Sequence, residues 1–262
     1  MGLLTMNTPL VEMRNIFKSF GGTNAVEDVS VSVVPGEVLG IVGHNGAGKS
    51  TLIKVLSGAY KMDQGEVFIK GKKAVINNPR DARNYGIETL YQDLALADHL
   101  DASANLFLGR EIMTRYGTLD NEAMRAAAAE VIGRINPNFV NLEDQVFRLS
   151  GGQRQSIAIA RGLYFNAQVL IMDEPTAALG QRETAIFKEL ILRLKSQGIG
   201  MFLISHDIHD VFDMSDRITV MANGAQVGTS KTEEVTKDQV LSMIILGKLP
   251  GEETDEDLSK LH

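Results

Sequence analysis

The chain has 262 residues, a formal net charge of −7 and no cysteine. Its length allows one large domain with a proper core, and the missing cysteine excludes a disulfide framework, a thiol nucleophile and Cys-ligated zinc or iron–sulfur centres. The acidic balance disfavours nucleic acid and anionic lipid as partners of the whole surface, although a local basic patch remains open.

With 44% hydrophobic and 23% charged residues, the composition is that of an ordinary globular protein. No apolar run approaches the roughly 18 residues of a membrane span. Residues 1–15 lack the basic and apolar blocks of a signal peptide. These features lead us to expect a soluble intracellular protein.

In chain order, the first ninety residues alternate β-rich runs with turn signals: VEMRNIF (11–17), VSVSVV (29–34), EVLGIV (37–42), GEVFIKG (65–71) and GIETLY (86–91). Gly21-Gly22, Pro35-Gly36 and Asp63-Gln64-Gly65 read as the turns between them. TLIKVLSG (51–58) reads as a helix closed by Gly58. From Leu94 to Phe165 the pattern turns helical. Asp120 is a cap for residues 121–135, where Met124, Ala128, Val131, Ile132 and Ile135 keep a helical apolar spacing, and Pro137 ends it. Ser150 caps a further helix that packs through Ile157.

VLIMDE (169–174), GMFLIS (200–205), RITVMA (217–222) and AQVGTS (225–230) return as strands. The helix expected over 182–198 presents Ile186, Leu190, Ile191 and Leu194 on one face, with Gly198 at its end. The whole reads as an α/β sheet interrupted by a mostly helical insertion. The tail after residue 247 is acidic and polar and reads as a frayed end.

GHNGAGKST (43–51) fits G-x-x-x-x-G-K-[ST] through Gly43, Gly48, Lys49 and Ser50. A buried-strand run precedes it and a helix follows, so the N–H groups of Gly43, His44, Asn45, Gly46, Ala47, Gly48 and the helix start through Thr51 can converge on anionic oxygen. Lys49 would reach the β and γ phosphates and Ser50 would hold Mg²⁺. A plain glycine turn would explain neither the lysine nor the hydroxyl.

VLIMDEP ends a strand in Asp173 and Glu174: the first would orient Mg²⁺, the second polarise an attacking water. Gln92 and His206 leave β-rich runs at the edge where parallel sheets place ligands. Taken singly, each reads as a surface or capping residue. Ser205, His206 and Asp207 are consecutive and cannot chain hydrogen bonds as a catalytic triad does. His206 and His209 lack further ligand groups nearby in sequence and are not read as a metal site.

The ordered set GHNGAGKST, YQD, LSGGQ, VLIMDEP and SHD resembles the ATP-binding cassette (ABC) ATPases over roughly residues 10–247. LALADHLDASANLFLGRE and DEPTAALG are most similar to the cassettes of bacterial monosaccharide importers. The resemblance implies a P-loop NTPase (RecA-like) core with an antiparallel β subdomain, the core about 10–93 and 164–247, the helical subdomain about 94–163 carrying the signature loop, and a tail at 248–262. It implies ATP and Mg²⁺ as ligands, with Phe20 stacking on adenine, Gln92 sensing the γ-phosphate and metal, and His206 contacting the γ-phosphate. Ser150, Gly151, Gly152 and Gln153 would contact ATP held by the opposite subunit of a homodimer or paired cassette. The helix N-cap and two glycines suit that role, since they present N–H groups but no lysine or metal ligand.

The further partners implied are transmembrane permease subunits and, indirectly, a periplasmic sugar-binding protein, with no nucleic acid, at the cytoplasmic face of the cell membrane. Three residues or features depart from the pattern. Gly180 follows Leu179 where most cassettes have an aspartate. Phe20 replaces the usual tyrosine, and a single copy stands where many such cassettes are tandem. The competing readings are a permease-independent cassette on ribosomes or DNA, disfavoured by the acidic balance, and a regulatory binder without hydrolysis, disfavoured by the complete set Lys49, Asp173, Glu174 and His206.

Overall fold

The computed structural model describes residues 8–90, 95–137, 139, 142–177 and 179–252. Its sheet is assembled from two kinds of strand pairing. Strands β1 (Val11–Phe20), β2 (Thr23–Val33), β4 (Gln64–Ile69) and β5 (Lys72–Ala74) pair antiparallel in the order β5-β4-β1-β2. Strands β9 (Arg217–Ala222), β3 (Val38–Val42), β8 (Gly200–Ile204), β7 (Val169–Asp173) and β6 (Ile87–Leu90) pair parallel in that order. Strand β10 (Ala225–Lys231) runs antiparallel to β9 and meets β2 through one residue pair, Ala225 with Glu27. The two halves of the sheet therefore share a seam of minimal width.

The parallel strands are buried on both faces, and their alternation divides the core. Leu170, Met172, Met201 and Leu203 face the helices of the central insertion, while Val169, Ile171, Phe202 and Ile204 face the other side with Leu39, Ile41, Leu52 and Ile53. Of the helices, α1 (Lys49–Leu56) follows β3 and α2 (Pro79–Asn84) precedes β6. Between β6 and β7 lie α3 (Ala102–Phe107), α4 (Asn121–Ile135) and α5 (Gly151–Tyr164). After β7 come α6 (Gln181–Ser196), α7 (Ile208–Met214) and α8 (Lys237–Leu246).

In α4 the Asp120 carboxylate accepts from Ala123 N, and the five apolar residues expected to face inward are the buried ones. The insertion, expected to be mostly helical, carries α3, α4 and α5, and residues 109–120 form a loop with an antiparallel bridge between Met113 and Leu119. One expectation needs correction. In α6 the buried residue of the first apolar turn is Phe187, at 2% exposure, while Ile186 is 48% exposed. Leu190, Ile191 and Leu194 face inward as expected, and Phe187 takes the place of Ile186 because it lies three residues before Leu190 and four before Ile191 on the same face. Gly180 occupies the N-cap of α6, and its N–H donates to Glu183.

Candidate functional site

At the C-terminal ends of β3, β7 and β8 the chain delivers the residues expected to handle phosphate, along the edge where parallel α/β sheets bind ligands. Strand β3 stops at Gly43, whose φ of +155° and packing leave no room for a side chain: an added Cβ would lie 2.2 Å from the Met221 carbonyl oxygen. Gly48, at φ +96°, would place a Cβ 2.3 Å from the Ala25 carbonyl. Between them His44, Asn45 and Gly46 are exposed and Ala47 is buried. Gly48 is the N-cap of α1 with no side-chain capping bond, so the first-turn N–H groups are left for a ligand. Ser50 is exposed and Thr51 half-buried on the first turn.

Lys49 is 8% exposed, and its Nζ donates to the carbonyls of Gly43 at 2.7 Å and His44 at 3.0 Å. Burial lowers its ammonium from the ordinary lysine value, partly offset by the nearby charges of Glu174 and Asp173. A cation enclosed by a loop and answered there by neutral carbonyls suits an anionic oxygen entering the same cradle.

Asp173 is the last residue of β7, opposite Ile204 of β8. Glu174 then turns the chain at φ +51°, its N–H donating to the Ile204 carbonyl at 2.8 Å. This left-handed residue swings the second carboxylate out of strand alternation. Burial, and next the charge of Glu174, raises the Asp173 carboxyl above its usual range, against Lys54 and Lys49. His206 follows β8, with its Nδ1 3.3 Å from Glu174 Oε1, so neighbouring strands bring these two together. Ser205 Oγ accepts the Asp207 N–H and the Asp207 carboxylate caps α7 by accepting the His209 N–H, so both serve the local backbone. His209 instead meets Lys237 of α8 at 2.7 Å. No group of three or more metal-ligating side chains occurs among the described residues. A magnesium ion held by Ser50 and Asp173 would thus depend on phosphate and water for its other ligands, as that ion commonly does. Gln92 and the tail beyond residue 252 lie outside the described residues.

Phe20 ends β1 44% exposed, edge-on to Tyr60 at 5.1 Å between ring centroids, with Lys18 Nζ 5.2 Å above it. Lys18 is in turn held at 2.7 Å by Asp63, whose carboxyl is lowered to about 2 by that lysine and by Ser19. Tyr60 was not singled out in the sequence because nothing local pairs it with Phe20.

The second glycine-rich loop is built differently. Ser150 Oγ accepts the Gln153 N–H at 3.3 Å and Gln153 Oε1 accepts the Ser150 N–H at 2.9 Å, a reciprocal capping box. Gly151 and Gly152 lie inside the first turn of α5. A Cβ on Gly152 would meet nothing within 4 Å, and one on Gly151 would approach Leu179 Cδ2 at 3.1 Å. None of these loop hydrogen bonds reaches the Gly43–Thr51 segment. Further along α5, buried Gln155 bonds the Pro175 carbonyl, a contact whose only sequence signal is a polar residue on an otherwise apolar face.

The sequence matches the ABC transporter family model over residues 26–177. The chain belongs to the ABC transporter family. The ribose import ATP-binding protein RbsA 2 of Escherichia coli O157:H7 is 41% identical over 257 residues, covering 97% of this chain and 50% of that protein. The xylose/arabinose import ATP-binding protein XylG of Sulfolobus acidocaldarius is 41% identical over 243 residues, 92% of this chain and 96% of the relative. This chain therefore spans about half the length of the ribose relative and nearly all of the xylose/arabinose one. Among solved structures, the dimeric post-hydrolysis state of an ATP-binding cassette bound to ADP and Pi superimposes with a TM-score of 0.69 at 26% identity, over 85% of this chain and 98% of that one. The fold of this ABC family member is that of the P-loop NTPase cassettes.

Proposed function

We propose that this cassette hydrolyses ATP to energise an importer of a monosaccharide, two cassettes closing on two nucleotides and driving a transmembrane permease. The observation that carries the reading is the meeting of the Lys49 cradle, the Asp173–Glu174 strand end and His206 along one sheet edge. The sugar-import names of the relatives support the substrate class, and the dimeric cassette with ADP and Pi supports pairing across nucleotide. Among the described residues no helix is long and apolar enough to cross a membrane, so attachment at the cytoplasmic face would come through the permease. A periplasmic sugar-binding protein would act only through that permease.

In this reading Lys49 leaves the Gly43 and His44 carbonyls for the β and γ phosphates, and Phe20 stacks on adenine. Ser50 and Asp173 would hold Mg²⁺, which when bound would supply positive charge against that of the phosphates. Glu174 polarises the attacking water, His206 contacts the γ-phosphate from beside it, and Gln92 would sense that phosphate and the metal. Ser150, Gly151, Gly152 and Gln153 of one cassette complete the site of the other, supplying N–H groups without lysine or metal chemistry. Catalysis is then mainly positioning and charge stabilisation. Glu174→Gln should abolish turnover while ATP still binds and holds the dimer together; a variant that hydrolyses ATP at the normal rate would sink this mechanism.

A further inference from the structure

Gln155 lies one turn into α5 and is 4% exposed, and its Nε2 donates to the Pro175 carbonyl at 2.8 Å. Only the amide nitrogen can answer a carbonyl, which fixes the orientation of the side chain. Its Oε1 has no protein partner among the described residues. A buried amide with half of its polar atoms unanswered is costly, whereas leucine or methionine would fill similar space without that cost. Packing therefore does not account for a glutamine here, and the bond to Pro175 does.

The carbonyl that receives the bond belongs to Pro175, the residue after the left-handed Glu174, φ +51°. Such a conformation persists in a non-glycine residue only where its surroundings hold it. Two holds are the Glu174 N–H on the Ile204 carbonyl and the Ala177 N–H on the Glu174 carbonyl, and Gln155 fixes the next carbonyl along the chain from the opposite segment. The same two segments lie close at Gly151, where an added Cβ would come within 3.1 Å of Leu179 Cδ2. The helix that opens with the Ser150 loop is thus fastened by Gln155 to the chain that leaves the catalytic carboxylate.

Resting on the hydrolytic reading above, we propose that Gln155 is a positioning residue that ties the Glu174 turn to the Ser150–Gln153 loop, so that seating of the loop on one nucleotide sets the carboxylate serving the other. A shift of α5 is carried by the side chain to the Pro175 carbonyl and from there to the Glu174 backbone. The two sites of a closed dimer are then coupled through each chain's own Gln155.

Gln155→Met in the full chain removes the donor at nearly constant volume. With Mg²⁺ and ATP, its kcat should fall about tenfold to a hundredfold, the scale of a small misplacement of a catalytic group. ATP affinity and melting temperature should stay near wild type, and the Hill coefficient for ATP should drop toward one. Gln155→Leu repeats the deletion where the methionine variant melts early. Normal kcat in these variants while the wild type turns over, or a wild-type Hill coefficient for ATP, would overturn the positioning role. A wild-type chain that hydrolyses no ATP would instead overturn the reading on which it rests.

Discussion

At Gly43 and Gly48 the backbone is left-handed and an added Cβ would collide with the carbonyls of Met221 and Ala25, whereas at Gly152 the backbone is helical and a Cβ would meet open space. The first loop needs glycine because the fold closes around it; the second keeps a glycine at 152, where the fold places no demand. In the first, absent side chains let the chain curl into a cradle. In the second, they leave a bare surface over free helix N–H groups, which is of use only to something that approaches from outside. Two glycine-rich helix starts in one chain therefore do different jobs, one as a built site and the other as a face.

That contrast can be tested from its strongest consequence downward. Gly48→Ala should destabilise the fold by at least ~3 kcal/mol, the combined scale of a strained φ and an overpacked contact, and should abolish nucleotide binding. Denaturant unfolding and a fluorescent-nucleotide titration would show it, and a variant of wild-type stability would mean the first loop is not clamped.

Gly152→Asp should leave stability within about 0.5 kcal/mol of wild type, since the site is open and a carboxylate suits a first helical turn. Hydrolysis should nevertheless fall about a hundredfold or more as the new charge faces phosphate. Turnover at the wild-type rate would remove the second loop from the site. Position 152 tests this better than 151, where a Cβ presses on Leu179 at 3.1 Å with a Glu183 carboxylate oxygen at 3.7 Å.

The smallest effect concerns the charge gathered at the first loop. Burial, then Glu174, holds the Asp173 carboxyl above its ordinary 3.8. The folded chain thus binds this proton more tightly than the unfolded chain, and the resulting stability is full below 3.8 and lost as pH rises through the folded value. Near neutral pH the ionised carboxylate weakens the nucleotide-free fold. Asp173→Asn should therefore melt above wild type at neutral pH, with the gain vanishing on acidification; a variant that melts lower at neutral pH would contradict the assignment.

Much of this architecture was legible because its signals are local. The Asp120 cap with its five inward positions, the Ser150 cap, and the apolar runs that became β3, β7 and β8 each depend on a few neighbouring residues. The short elements β5, α2 and α7 carry too few residues to establish a period and escaped, as did the ten-residue α8, where only Val240 and Met243 are buried. Ile186 and Phe187 are adjacent and both apolar, so only the packed core could decide which turned inward. The site was legible as motifs, but the Glu174–His206 contact, the Phe20–Tyr60 pair and the Gln155–Pro175 bond join residues distant in sequence. No spacing rule reaches across those separations.

The seam between the two halves of the sheet, one residue pair at Ala225 and Glu27, has a mechanical meaning. Phe20 stands on the antiparallel side and Lys49 follows a strand of the parallel side. A nucleotide gripped by its base at one and its phosphates at the other would lie across the joint like a rivet through two plates. The apolar core that both halves share, with Val11, Met13 and Val29 in one cluster with Leu39, Ile41 and Phe202, sets how far apart base and phosphate would be held.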